Sequence, residues 1–185
     1  LPPGTPPGNP INDDRPTALV NSDSKYEGNQ LIHDIGLSNL SETTTSIEVT
    51  ITPTGTNAIE ANDIEAVLYT TDGGATWTTV PGFVLGTSFT VTHPANETAG
   101  QVQVRVVSKQ DTVLEGSETY EISVSTPSQM TAGTGTGTIV DDGSTITPPT
   151  NPPVTPPVPV TPPTATDLPP GTPPGNPIND DRPTA

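Results

Sequence analysis

The segment "QVQVRVV", residues 101–107, sets Val102, Val104 and Val106 on one side of the chain and Gln101, Gln103 and Arg105 on the other. A repeat of two is the spacing of a β-strand with one face in a core and the other in water. The same alternation recurs in "SIEVTI" (46–51), where Ile47, Val49 and Ile51 alternate with Glu48 and Thr50. It recurs again in "TYEISVS" (119–125), where Tyr120, Ile122 and Val124 alternate with Glu121 and Ser123. Further strands are expected over 18–25, 30–38, 65–70, 76–80, 88–92 and 135–140. That makes about nine short strands separated by Gly, Asn, Asp and Pro clusters, with no convincing helix. The expected fold is all-β: an antiparallel immunoglobulin-like β-sandwich of about seven to nine strands, flanked by proline-rich extended linkers. The chain has no cysteine, which rules out the disulfide-bonded subtype and any thiolate metal site.

Outside this interior the text changes character. "LPPGTPPGNPINDDRPTA" occupies residues 1–18 and recurs letter for letter at 168–185. A convergent binding motif would not preserve neutral positions such as Thr5, Asn9 and Ala18, so the duplication is read as the junction of a tandem array. The shift of 167 residues leaves room in each unit for a whole domain and its linker, far beyond the roughly 20–50 residues of a solenoid repeat. Fourteen of the 25 prolines lie within 148–177, and six more lie within the first 16 residues. The chain therefore divides into a proline-rich linker end (1–18), a sandwich (19–143), and a linker with the start of the next repeat (144–185). Repeated Pro-Pro pairs favour polyproline II at about 3.1 Å per residue, which makes 148–177 a semi-rigid spacer.

Twenty-one acidic residues against five basic ones give a formal charge of −16. Phosphate recognition needs clustered Lys and Arg, so nucleic acid is excluded as a partner, and anionic membrane surfaces are disfavoured. The excess suits divalent cations. The acids also gather in loops: Glu27 in "KYEGNQ", Asp63 in "ANDIEA", Asp111, Glu115 and Glu118 in "KQDTVLEGSE", and Asp141 and Asp142 in "IVDDGS". If consecutive strands run antiparallel, several of these loops meet at one end of the sandwich. Two carboxylates about 4 Å apart repel by roughly 1 kcal/mol even in water, so a cluster calls for a cation. Ca²⁺, which takes six to eight oxygens and tolerates irregular loops, is the natural occupant; solvated surface acids are the plainer alternative.

"EG" at Glu27 and Gly28, "ND" at Asn62 and Asp63, "DTVLEGSETYEISVS" from 111 to 125 and "GTGTIVDDG" from 135 to 143 resemble the Calx-beta and related immunoglobulin-like repeats of giant repeats-in-toxin adhesins of Gram-negative bacteria. The resemblance implies Ca²⁺ at one end of the sandwich and, by position, carries over to Glu27, Asp63, Asp111, Glu115, Glu118, Asp141 and Asp142. The pattern departs where Calx-beta modules tend to have an acid and this chain has Gln110 and Gly143, which implies fewer ions or weaker binding. Asp13 and Asp14, repeated as Asp180 and Asp181, are further acids beside the domain entrance.

"TTDGGATW" (70–77) fits the Asp-box pattern of sialidase propellers, but a propeller needs several copies. A β-hairpin whose Asp72 bonds turn amides over Trp77 is expected instead. Trp77 as a sugar-stacking platform supports an alternative function, a glycan- or cell-binding module. His33 and His93, the only histidines, lack a triad-like setting and are expected as surface loop or strand residues. No enzymatic activity is expected.

The sequence thus points to a Ca²⁺-stabilised extender repeat at the bacterial cell surface, which projects a distal adhesive domain. The resemblance further implies type I secretion as an unfolded chain. The expected partners are calcium ions and neighbouring repeats of the same chain, with no membrane insertion and the fragment itself a monomer.

Overall fold

The structure, a computed structural model, describes residues 15–141, 143, 144 and 151. Asp13, Asp14, Asp142, Asp180, Asp181 and, apart from Asn151, the spacer at 148–177 lie outside the described residues. Among the described residues ten strands run in order: β1 (Ala18–Val20), β2 (Asp23–Tyr26), β3 (Gln30–Leu37), β4 (Thr45–Thr54), β5 (Ile64–Thr70), β6 (Thr78–Thr79), β7 (Phe89–His93), β8 (Val102–Ser108), β9 (Ser117–Ser125) and β10 (Gly133–Val140). A 3₁₀ turn, Ala61–Asp63, precedes β5.

The strands form an all-β sandwich of two five-stranded sheets, β1-β3-β8-β5-β6 and β2-β10-β9-β4-β7. Only β5–β6 and β9–β10 are hairpins; every other connection crosses from one sheet to the other. The alternating segments meet between the sheets as their period demands. Val102, Val104 and Val106 of β8 face Ile47, Val49 and Ile51 of β4 and Ile122 and Val124 of β9, all fully buried. Burying each such side chain contributes about 1.5–3 kcal/mol before entropy is counted.

Two expected strands are cut short. The segment 18–25 is not one strand but two, because the chain changes sheet between β1 and β2. Asn21 stays with β3: its side-chain oxygen accepts from the Asp34 amide at 2.6 Å and its carbonyl accepts from His33 Nδ1 at 2.9 Å. Ser22 already belongs to the other sheet, its hydroxyl accepting from the Thr136 amide at 2.9 Å. As a result β2 pairs with β10 in parallel, the exception in an otherwise antiparallel set of strand pairs. The stretch 76–80 shrinks to Thr78–Thr79 because the turn before it is held by Asp72 rather than by a ladder.

Register brings one set of loops together. Gln30 lies opposite Val107, Ile64 opposite Ser108, Thr54 opposite Thr119 and Ser117 opposite Val140. The β2–β3 turn, the segment before β5, the β8–β9 loop and the residues after β10 therefore share one pole of the sandwich.

Candidate metal centre

All six described acids of the predicted set stand at this pole; five of their carboxyls form two groups, while the Asp111 carboxylate accepts from the Val113 amide of its own loop at 2.7 Å. In the first, the Glu27 carboxylate accepts from the Asp111 amide at 2.7 Å and from Gln110 Nε2 at 3.2 Å. It also shares a hydrogen bond with Asp141. Asp141 in turn accepts from the amides of Glu115, of Gly116 at 3.4 Å and of Gly143 at 2.6 Å. One buried carboxyl and its neighbour thus tie the β2–β3 turn, the β8–β9 loop and the end of β10 to one another. Gln110, at the position where the resembled repeats tend to carry an acid, donates to Glu27 and to the Ser144 carbonyl at 2.6 Å. Its amide takes up carboxylate oxygen that a second acid would have left to an ion.

The second group is Asp63, Glu115 and Glu118, each offering an oxygen within 4.8 Å of the others'. The 3₁₀ turn delivers Asp63, whose carboxylate also accepts from the Glu60 amide at 2.5 Å. The β8–β9 loop delivers Glu115, and the second residue of β9 delivers the buried Glu118. Asp142 lies outside the described residues. Glu60, which the sequence reading did not single out, adds its charge to both Glu115 and Glu118. Its signal was an acid three residues before Asp63.

The electrostatics follow from this crowding. Burial pushes Glu118 up to about 7, helped by the charge of Asp63, its hydrogen bond with Asp63, and Glu115. Burial likewise pushes Glu27 up to about 7 against the Asp111 amide, with Asp141 adding to the rise. Glu115 is raised by burial and by Asp63, Asp111 and Glu60. Burial also raises Asp141, but the amides of Glu115 and Gly143 outweigh it and hold the group below the usual carboxylate range. Values of about 7 leave Glu27 and Glu118 partly protonated near neutral pH, and a divalent ion held by Asp63, Glu115 and Glu118 would displace the proton of Glu118. Carboxylate-only ligation suits a hard ion, Ca²⁺ ahead of Zn²⁺.

The Asp-box hairpin lies elsewhere, on β5–β6. Asp72 accepts from the Thr70 hydroxyl at 2.6 Å, the Thr76 amide at 2.9 Å and the Thr76 hydroxyl at 2.5 Å. These bonds hold Asp72 down at about 2. Trp77 Nε1 donates to the Gly74 carbonyl at 3.1 Å, and the Arg105 guanidinium lies 3.6 Å from the centre of its ring. One aromatic face is thereby covered by protein.

The histidines are not surface residues: both are fully buried in strands. Both ring nitrogens of His33 are partnered, by the Asn21 carbonyl and the Tyr120 hydroxyl, whereas His93 has the Pro94 carbonyl at Nδ1 and a buried Nε2 without a hydrogen bond.

No family model and no curated protein matches the chain. Among solved structures it is similar to a family 123 glycoside hydrolase from Clostridium perfringens, described for glycolipid glycan hydrolysis. The TM-score is 0.39 and the identity 11%, over 67% of this chain and 27% of that one. At that level the likeness bears on neither site nor activity. Among the described residues no helix is long and apolar enough to cross a membrane.

Proposed function

We propose that this chain is a structural extender repeat of a large bacterial cell-surface adhesin, without catalytic activity, whose sandwich is stabilised by Ca²⁺ at its acidic pole. The observation that carries the reading is the meeting of Asp63, Glu115 and Glu118, contributed by a 3₁₀ turn, a loop and a strand, within 4.8 Å of one another. The resemblance of 111–125 and 135–143 to Calx-beta repeats supports the setting in a repeats-in-toxin adhesin. The duplicated 1–18 and 168–185 and the proline-rich 148–177 support a tandem array on spacers. In this reading the chain crosses the envelope unfolded and folds outside, where calcium drives folding by mass action. Its work is geometric: it holds a distal adhesive domain away from the cell.

Calorimetry of the chain in millimolar CaCl₂ and in excess chelator tests the reading. Calcium a hundredfold above Kd adds about 2.7 kcal/mol, on the order of 10 °C in Tm for a domain of this size. The gain is expected to vanish in Asp63→Asn and Glu118→Gln. An equal Tm in both buffers would reduce the pole to solvated acids.

A further inference from the structure

The stretch 17–26 is fastened more heavily than its two short strands require. β1 pairs with β3 through Ala18, Leu19 and Val20, and the Ser38 amide donates to the Thr17 carbonyl at 2.9 Å. On its other side β1 has no strand among the described residues, yet the Gln129 side chain behaves like one. Its Oε1 accepts from the Ala18 amide at 2.8 Å, and its Nε2 donates to the Ala18 carbonyl at 3.1 Å. Asn21 and Ser22 are held as described above. β2 then runs beside β10 from Asp23 opposite Gly137 to Tyr26 opposite Val140, and the Glu27 amide closes the ladder on the Val140 carbonyl at 3.0 Å.

The glycines of "GTGTGT" (133–138) make this possible. A methyl group on Gly133 would overlap the Ala18 carbonyl oxygen, and one on Gly135 the Asn21 carbonyl oxygen. The β1–β2 crossover lies directly on the β10 backbone, at a separation that only glycine allows.

The direction of this ribbon matters. Thr17 stands at the pole where β3 ends, and Asp141 at the pole where β3 begins. Chain continues beyond both. Tension applied through those continuations draws β1 and β2 toward one pole and β10 toward the other, along the strand axes. Their transverse hydrogen bonds are then loaded together, in shear; a hairpin pulled from its open end would lose them one at a time.

We infer that residues 17–26, gripped by β3, Gln129 and the glycine face of β10, are the tension-bearing clamp of this domain. The extender reading supplies the setting, but the clamp uses none of the acidic side chains of the metal centre. The two ideas therefore fail separately.

The test is force spectroscopy on the full chain held by its two ends, in chelator and again in calcium, with equilibrium urea unfolding alongside. Gln129→Ala, which leaves the core intact, is expected to unfold roughly tenfold faster at a given force, equivalent to about 1.4 kcal/mol of barrier. Val91→Ala on β7, buried but outside the loaded path, is expected to lower equilibrium stability and leave the rate under load nearly unchanged. The same ordering is expected in both buffers. The inference is overturned if Val91→Ala speeds forced unfolding as much as Gln129→Ala does, or if Gln129→Ala leaves the rate under load at the wild-type value.

Discussion

The Tyr120 hydroxyl donates to Nε2 of His33 at 2.8 Å, between two side chains that are both fully buried. Because Nδ1 faces the Asn21 carbonyl, it must carry the imidazole proton, which leaves Nε2 as the acceptor. Tyr120→Phe keeps the ring and orphans that acceptor, at an expected cost of about 1–3 kcal/mol in urea unfolding at pH 7. Burial lowers His33 from 6.5, against the Asn21 carbonyl and the charges of Asp23 and Asp34. The unfolded chain then binds the extra proton first, so this group's contribution is present above about 6.5 and declines as pH falls below it. Wild type minus His33→Gln, measured at pH 7 and pH 5, should show that decline; equal differences at the two pH values would refute it.

Gly137 lies under the same tyrosine. A methyl group there would overlap Tyr120 Cζ, in a core without room to yield. Gly137→Ala is expected to destabilise by about 3 kcal/mol or to abolish folding. Thr134→Ala, exposed on the same strand, should stay within about 0.5 kcal/mol of wild type by thermal melting.

The strands that period two marks, β4, β8 and β9, lie where the alternation of Ile47, Val102 and Tyr120 with polar neighbours puts them. That pattern is a local consequence of one buried face, so it can be read from the chain. The break at Asn21 could not be: it depends on His33 and Thr136, which are remote in sequence, and on glycines that admit a crossing backbone. Burial of His33 was hidden for the same reason, since the Tyr120 hydroxyl that makes it tolerable lies far along the chain. At the acidic pole, the gathering of loops follows from alternating strand direction. The division into a Glu27–Asp141 group and an Asp63–Glu115–Glu118 group depends on side-chain reach, and no spacing encodes it.

Asp72 organises the β5–β6 turn through the Thr70 and Thr76 hydroxyls and the Thr76 amide. Asp72→Ala should free the turn and let water reach Trp77, which a red shift in fluorescence emission would report. Because the carboxyl is held at about 2, its support persists above about 3.8 and disappears only as pH falls through about 2. Wild-type emission unchanged in the variant would mean that Arg105 and the Gly74 carbonyl alone position the indole.

Glu27 and Glu118 give the acidic pole a pH signature of its own. Both are raised from 4.5 to about 7, chiefly by burial. A carboxyl that ionises later in the folded state than in the unfolded chain contributes stability below 4.5 and loses it as pH rises through about 7. In chelator, Tm should therefore fall between pH 4.5 and 7. In the proposed site an ion would take the ionised form and displace the protons, so stabilisation by calcium should grow over the same interval and oppose the fall. Glu118→Gln cannot ionise: it should reduce the chelator profile to the share of Glu27 and abolish the calcium effect together. A variant that flattens the profile while keeping the full calcium response would separate the titration from the metal and place the ion away from Asp63, Glu115 and Glu118.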